Sequence, residues 1–401
     1  MKVLFVTWDG PQVSYLEGLF LPIFKRLQRA GLKFHVLQFT WGGAARVEVT
    51  RKACEAAGVT YRSAPVWRRP VGPGALLTAF AGARLIRKAA REWSIDVLMP
   101  RSNLPALACL LALRRLRLPM VFDADGLPLD ERVDFGGQSP SAWAHRFLRD
   151  IEAQAVRRAN IVLTRSEKAS EILHARGGAG TAMQKFHVIG NGRDASQFRP
   201  LDGAALTEMR RSLELEPESP IVVYAGSLGG KYCARSIVDL FKLIARKNNS
   251  ARLLVLSVSK DVAEAAIESA PEIRSRARVL HVPNEAVPRY LACADVGLSI
   301  IKPSYSMQAV SAIKTGEYLL CGVPVIGTAG IGDSEKICAR AGFVLRDISD
   351  ESLNSASDWF LNEVLPDRQK FRRLSREVGE DFYSLDATVC AYARALGGAN
   401  L

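Results

Sequence analysis

A chain of 401 residues with 48% hydrophobic content exceeds what one core usually supports, so two domains of about 200 residues each are expected. No run reaches the roughly 18 uncharged apolar residues that cross a bilayer, and the seven cysteines (Cys54, Cys109, Cys233, Cys293, Cys321, Cys338, Cys390) are odd in number, scattered and free of any C-x-x-C pair, which argues for reduced thiols and against a disulfide or zinc framework. The net charge of +13 is lopsided: residues 1–200 hold 30 Lys and Arg against 16 Asp and Glu, while residues 201–401 hold 24 against 25.

The chain opens on an apolar strand, Val3–Trp8, where a secretory leader would carry a longer helical run, so a cytoplasmic protein is expected. Asp9-Gly10 ends this strand, and a glycine at such a turn lets backbone approach a phosphate closely. Strands follow at Lys33–Thr40, Thr60–Ala64, Asp96–Pro100, Met120–Asp123, Ile161–Thr164 and His187–Ile189, separated by helical patterns. A helix between Gly74 and Trp93 puts Leu76, Leu77 and Phe80 on the side of Arg84, Arg87, Lys88 and Arg91, a pattern that either docks at an interface or covers its own sheet. With Arg68-Arg69, Arg114-Arg115 and Arg117 it makes a basic surface. No zinc finger, RNP-like aromatic motif or basic dimerising helix accompanies it, so the expected partner is an anionic membrane surface or a lipid-diphosphate acceptor, and not nucleic acid. Asp123-Ala-Asp125 reads as a turn carboxylate, an acceptor-orienting group or a D-x-D metal pair; Asp150 and Glu152 read equally as a salt-bridged face or a site.

Asn191–Leu201, with its Asn-Gly turn and Pro200, marks the join. The expected organisation is residues 1–195, residues 196–382 and a terminal helix, 383–401, packing back on the first domain. Second-half strands are expected at Ile221–Ala225, Arg252–Val258, Val279–Val282, Val296–Ile301, Val323–Ile326 and Phe343–Leu345. The alternation throughout predicts α/β architecture with two Rossmann-like, doubly wound parallel sheets facing a central cleft. After the Ile221–Ala225 strand, Gly226-Ser227-Leu228-Gly229-Gly230-Lys231-Tyr232 leads into a helix: glycines, amides and a mobile cation suited to a diphosphate. Lys314-Thr-Gly-Glu317 opens a further short helix that Gly322 ends, where a carboxylate can accept ribose hydroxyls.

Three segments carry a family resemblance. Val188-Ile-Gly-Asn191-Gly192-Arg-Asp194 through Pro200, Val223 through Tyr232, and Ser311 through Ile326 resemble, in order and spacing, the motifs of GT-B glycosyltransferases, in particular glycosyltransferase family 4. The resemblance implies a nucleotide-sugar donor, a glycan or lipid-diphosphate-linked acceptor, retention of anomeric configuration, and no cofactor or metal. It implies catalytic roles for Lys231, Glu317 and Asp125. Donor contacts are expected from Gly10, Ser227, Gly229, Gly230, Lys231, Tyr232, Ser306, Lys314 and Glu317, with the base near His281, Val282 and Pro283. The chain departs from the family at Ser227 (often Arg), at Ala309 (where a Glu-x₇-Glu pair has its first carboxylate) and at Asp125 (often His). One or another of Ser304, Tyr305, Ser306 or Gln308 is expected to take over recognition of the sugar from the lost carboxylate. The expected enzyme works on surface polysaccharide or glycolipid at the inner membrane face. A GT-B nucleotide-sugar epimerase and a non-catalytic sugar-binding subunit stay open as alternatives.

Overall fold

In the computed structural model, which describes residues 1–13 and 15–397, the Val/Ile/Leu-rich runs form thirteen strands among the described residues. These are β1 (Lys2–Asp9), β2 (Lys33–Thr40), β3 (Thr60–Pro65), β4 (Val97–Pro100), β5 (Val121–Asp123), β6 (Ile161–Thr164), β7 (Phe186–Val188), β8 (Ile221–Ala225), β9 (Arg252–Leu256), β10 (Ala277–Leu280), β11 (Val296–Ser299), β12 (Val325–Thr328) and β13 (Gly342–Leu345). The chain divides into two units: Met1–Gly190 with the residues from Thr388 onward, and Asn191–Ala387. The expected boundaries, 195/196 and 382/383, lie a few residues from these divisions. The last four residues of the expected terminal helix fall outside the described residues.

In unit 1 the parallel order β3-β2-β1-β4 is continued by β5-β6-β7 through single parallel bridges, Leu98 to Met120 and Arg101 to Asp123. Its terminal segment contributes Tyr392, buried beside Arg165 and Asp123. Unit 2 has the order β10-β9-β8-β11-β12-β13, all parallel, so the chain winds outward from β8 in both directions. Both are Rossmann-like. Near-continuous apolar strands are required because helices cover both faces. Along β8, Val222 and Tyr224 face Ile237, Phe241, Ile244 and Phe360. Ile221, Val223 and Ala225 face Met209, Leu291, Tyr318 and Leu319. This is the two-residue alternation of a strand buried on both sides.

Most strand ends lie within one residue of the sequence expectation, and four strands of unit 2 have an end two residues from it. β9 stops at Leu256, leaving Val258 73% exposed. β10 runs two residues earlier than expected, so His281–Pro283 form the loop beyond it. β11 closes at Ser299. β12 begins at Val325 because Pro324 has no N–H to donate and the Val323 N–H closes the preceding helix on the Tyr318 carbonyl at 2.9 Å.

Helix Ile313–Leu320, just before β12, is gripped unusually closely. A Cβ on Gly379 of helix Arg368–Tyr383 would stand 2.6 Å from the Leu320 nitrogen, and one on Gly316 would stand 2.5 Å from the Tyr383 ring. Both positions need glycine for close approach.

Candidate active site

The turn after β8 carries positive φ at Gly226, Gly229 and Gly230, a conformation that favours glycine. It is pinned on the end of β11: Tyr232 bridges to Ile301 and to Gly229, and the Lys302 N–H donates to the Lys231 carbonyl at 2.8 Å. Ser227 is exposed, its carbonyl accepting from the Tyr224 hydroxyl at 2.5 Å. The helix Ala234–Lys247 follows.

Lys314 comes to this turn from helix Ile313–Leu320. It is buried, not a solvated first-turn lysine: its Nζ donates to the Tyr224 hydroxyl at 2.8 Å and lies 4.0 Å from the Tyr224 ring centroid and 4.3 Å from that of Tyr232. Lys231 Nζ stands 5.7 Å from the other ring contact, Tyr232, so two lysines share one aromatic residue. Burial pulls the Lys314 ammonium down to about 7; Glu317 pulls it back up and Lys231 pushes it further down. Two cations crowded at a glycine turn, one of them desolvated, form a receptor for an anion of more than one charge. Tyr318 fixes the helix beneath, its hydroxyl accepting from the Ala225 N–H at 2.7 Å and its ring lying where a Cβ on Gly297 would come within 2.6 Å.

One turn on, Glu317 has a partner that the sequence did not announce. Arg193 Nε donates to Glu317 Oε1 at 2.8 Å, and Arg193 Nη2 lies 2.7 Å from the same oxygen. Burial raises the Glu317 carboxyl above the ordinary range, while Arg193 and then Lys314 draw it down. The backbone of Arg193 is itself tied on both sides, its N–H to the Tyr383 carbonyl and its carbonyl to the Leu385 N–H, each at 2.8 Å. Asn191 Nδ2 holds the Ser311 carbonyl at 2.9 Å, just ahead of the helix. Neither Asn191 nor Arg193 carries a sequence signal for these contacts, because the partners lie 120 and 124 positions away.

The other expected donor residues of unit 2 fall into two groups. His281 and Pro283 are exposed and Val282 half-buried on the loop after β10. Ser306 is buried and paired with Ser304 at 3.2 Å, in the turn Ser306–Ala309 where Ala309 is wholly buried. Tyr305 is exposed and Gln308 half-buried.

Gly10 and Asp125 lie in unit 1. A Cβ on Gly10 would meet the Trp41 ring at 2.7 Å, so packing within the unit already demands glycine there. Asp125, in the left-handed region at φ 53, accepts from Arg101 at 2.5 Å. Asp123 is fully buried and takes Arg165 on both oxygens, at 2.8 and 2.9 Å. The D-x-D pair is thus an arginine-bound pair, and desolvation raises the Asp125 carboxyl despite Arg101. Glu152 is buried against Arg176 at 2.7 Å, whereas Asp150 is exposed and bonded to Gln154.

Comparison with known proteins places this geometry. Residues 20–192 match the glycosyl transferase 4-like domain. No curated protein matches the chain. Among solved structures, Anabaena HepE in complex with UDP and glucose has a TM-score of 0.70 at 16% identity, with 100% of both chains covered. A glycosyltransferase from Rickettsia africae has a TM-score of 0.74 at 14% identity over 99% of this chain and 100% of its own. The lipopolysaccharide outer core galactosyltransferase WaaB, in its apo form, has a TM-score of 0.69 at 14% identity over 99% of each. Residues 20–192 thus resemble a glycosyl transferase 4-like domain, and the whole chain shares the fold of these GT-B glycosyltransferases.

Proposed function

We propose that the protein transfers a sugar from a nucleotide-sugar, with UDP-sugars the first donors to test, to a glycan or lipid-diphosphate-linked acceptor in surface polysaccharide or glycolipid synthesis. The observation that carries the reading is the pair of lysines at the glycine turn, Lys231 and buried Lys314, one helical turn from a carboxylate. Lys231, Lys314 and the turn amides take the diphosphate and stabilise the nucleoside diphosphate as it leaves. Glu317 accepts from the ribose, and the loop His281–Pro283 borders the base. Asp125, held by Arg101, orients the acceptor hydroxyl. UDP bound to HepE supports the choice of base. Metal independence is supported by the cations available for the leaving group, and retention by family resemblance alone.

Calorimetric titration with UDP tests the donor site. Glu317→Ala should weaken UDP by about 1–3 kcal/mol through loss of charge-assisted hydrogen bonds, with the protein still folded; unchanged affinity removes Glu317 from the site. Incubation with a UDP-sugar and no acceptor separates the epimerase reading, which requires an epimerised donor to accumulate.

We further propose a peripheral location at the inner membrane face. Among the described residues no helix is long and apolar enough to cross a membrane. Helix Val71–Glu92 exposes Leu77 by 54% and Phe80 by 50%, in line with exposed Arg84, Lys88 and Arg91, and Trp67 and Arg68-Arg69 are exposed just before it. Each cation near an anionic leaflet contributes about 1 kcal/mol, screened within a Debye length. Replacing Arg84, Arg87, Lys88 and Arg91 by Gln should abolish salt-sensitive binding to phosphatidylserine vesicles in flotation and leave UDP affinity unchanged. Vesicle binding equal to the parent's would sink the assignment.

A further inference from the structure

Three features invite a role that the donor reading has not absorbed: the buried Asp123–Arg165–Arg101 cluster, the exposed apolar and basic helix, and the Arg193–Glu317 pair. The third goes furthest. Glu317 Oε1 is taken by Nε and Nη2 of one guanidinium, at 2.8 and 2.7 Å, and no hydrogen bond to Oε2 is seen among the described residues. The guanidinium is only 24% exposed and packs 5.7 Å from the Phe198 ring centroid. Its backbone is locked to Tyr383 and Leu385, and neighbouring Asn191 locks Ser311. A carboxylate held by one oxygen, from a residue fixed on both sides, presents its other oxygen in one defined place.

We propose that Arg193 is a positioning residue for the donor: by holding Oε1 it fixes the rotamer of Glu317 so that Oε2 is the oxygen presented to the hydroxyls of the nucleotide ribose. This rests on the reading of Glu317 as the ribose-binding carboxylate. The groups facing Glu317 are Arg193 from the loop, Lys314 and Tyr318 from its own helix, and the Cys321 thiol at that helix's end. Burial keeps the tyrosine and the thiol neutral, so Arg193 and Lys314 alone counter the desolvation of the carboxylate. Removing Arg193 therefore moves the Glu317 carboxyl further up. Ribose affinity, present while the carboxylate is charged, is then lost at a higher pH as the pH falls.

The test is calorimetric titration of UDP, 2′-deoxy-UDP, 3′-deoxy-UDP and 2′,3′-dideoxy-UDP between pH 5 and 8 into the wild type, Arg193→Ala and Arg193→Lys. For the wild type, the dideoxy compound should bind about tenfold more weakly than UDP, with the two monodeoxy analogues between them. Arg193→Ala should bind UDP about tenfold more weakly at neutral pH, with the deficit widening toward pH 5, while its dideoxy-UDP affinity matches the wild type. Arg193→Lys should recover the charge, and with it the pH profile, but not the full preference for UDP over the dideoxy compound. If wild type binds UDP and dideoxy-UDP equally, the ribose reading of Glu317 itself fails. If wild type discriminates and Arg193→Ala discriminates identically at every pH, or weakens all four ligands alike, the ribose reading stands and the role of Arg193 is overturned.

Discussion

Lys231→Ala is expected to lower turnover by about 10²–10³ while weakening UDP-sugar binding by less than about tenfold. On the proposed reading the donor diphosphate already carries its charges in the ground state, and buried Lys314 and the amides of the glycine turn would meet them. Cleavage of the glycosidic bond places an additional negative charge on the departing phosphate oxygen. The half-buried Lys231 shares Tyr232 with Lys314 and is the less buried of the two cations, so the growing charge is assigned to it. Single-turnover kinetics beside equilibrium binding of the intact donor make the comparison. An equal loss in both would make Lys231 a binding residue and move the leaving-group role to Lys314.

Lys314→Met should have effects of opposite sign on the empty and the loaded protein. An ammonium whose ordinary value is 10.5 is held at about 7 by burial. The unfolded chain therefore binds more protons than the folded one between pH 7 and 10.5, so this group makes the folded state gain stability as pH rises through that window, and its full destabilisation is present below pH 7. Methionine fills similar volume without a charge. The empty variant should melt higher than wild type at neutral pH and lose this part of the alkaline rise, while its UDP affinity falls by about 10- to 100-fold, the loss of a charged hydrogen bond. Wild-type titrations at pH 8 in two buffers of different ionisation heat should reveal proton uptake on binding UDP. A variant that melts lower and binds UDP normally would make Lys314 a structural lysine.

The strands were legible because their apolar runs are short, β-branched and bounded by turn residues, and burial on both faces leaves a strand little latitude in composition. Their ends were less so. Nothing in Arg252–Val258 signals that pairing stops at Leu256, since that depends on where the neighbouring Leu280 ends. The proposed donor residues Lys231, Lys314 and Glu317 were picked out from glycine spacing and helix starts, but their environments were not. A buried lysine between two tyrosines is a tertiary fact, and Tyr224 reads in sequence only as a strand residue. Arg193 was hidden more deeply, because a single arginine after Asn-Gly reads as turn and its carboxylate lies 124 positions away. Asp123 illustrates the reverse case: the D-x-D spelling was visible, and the arginines that occupy it were not.

The grip of Asn191 and Arg193 on helix Ile313–Leu320 bears on how the protein can be dissected. A fragment cut at residue 196 would retain all six strands of the second sheet, and by sheet content alone would look complete. It would nonetheless have discarded the side chain that orients Glu317 and the amide that anchors Ser311, and trimming before Leu385 would release the backbone of Arg193 as well. If helix Ile313–Leu320 binds nucleotide as proposed, the minimal binding piece is therefore set by two short flanking stretches outside any strand, and a shorter one would report a weak affinity that belongs to the cut and not to the protein.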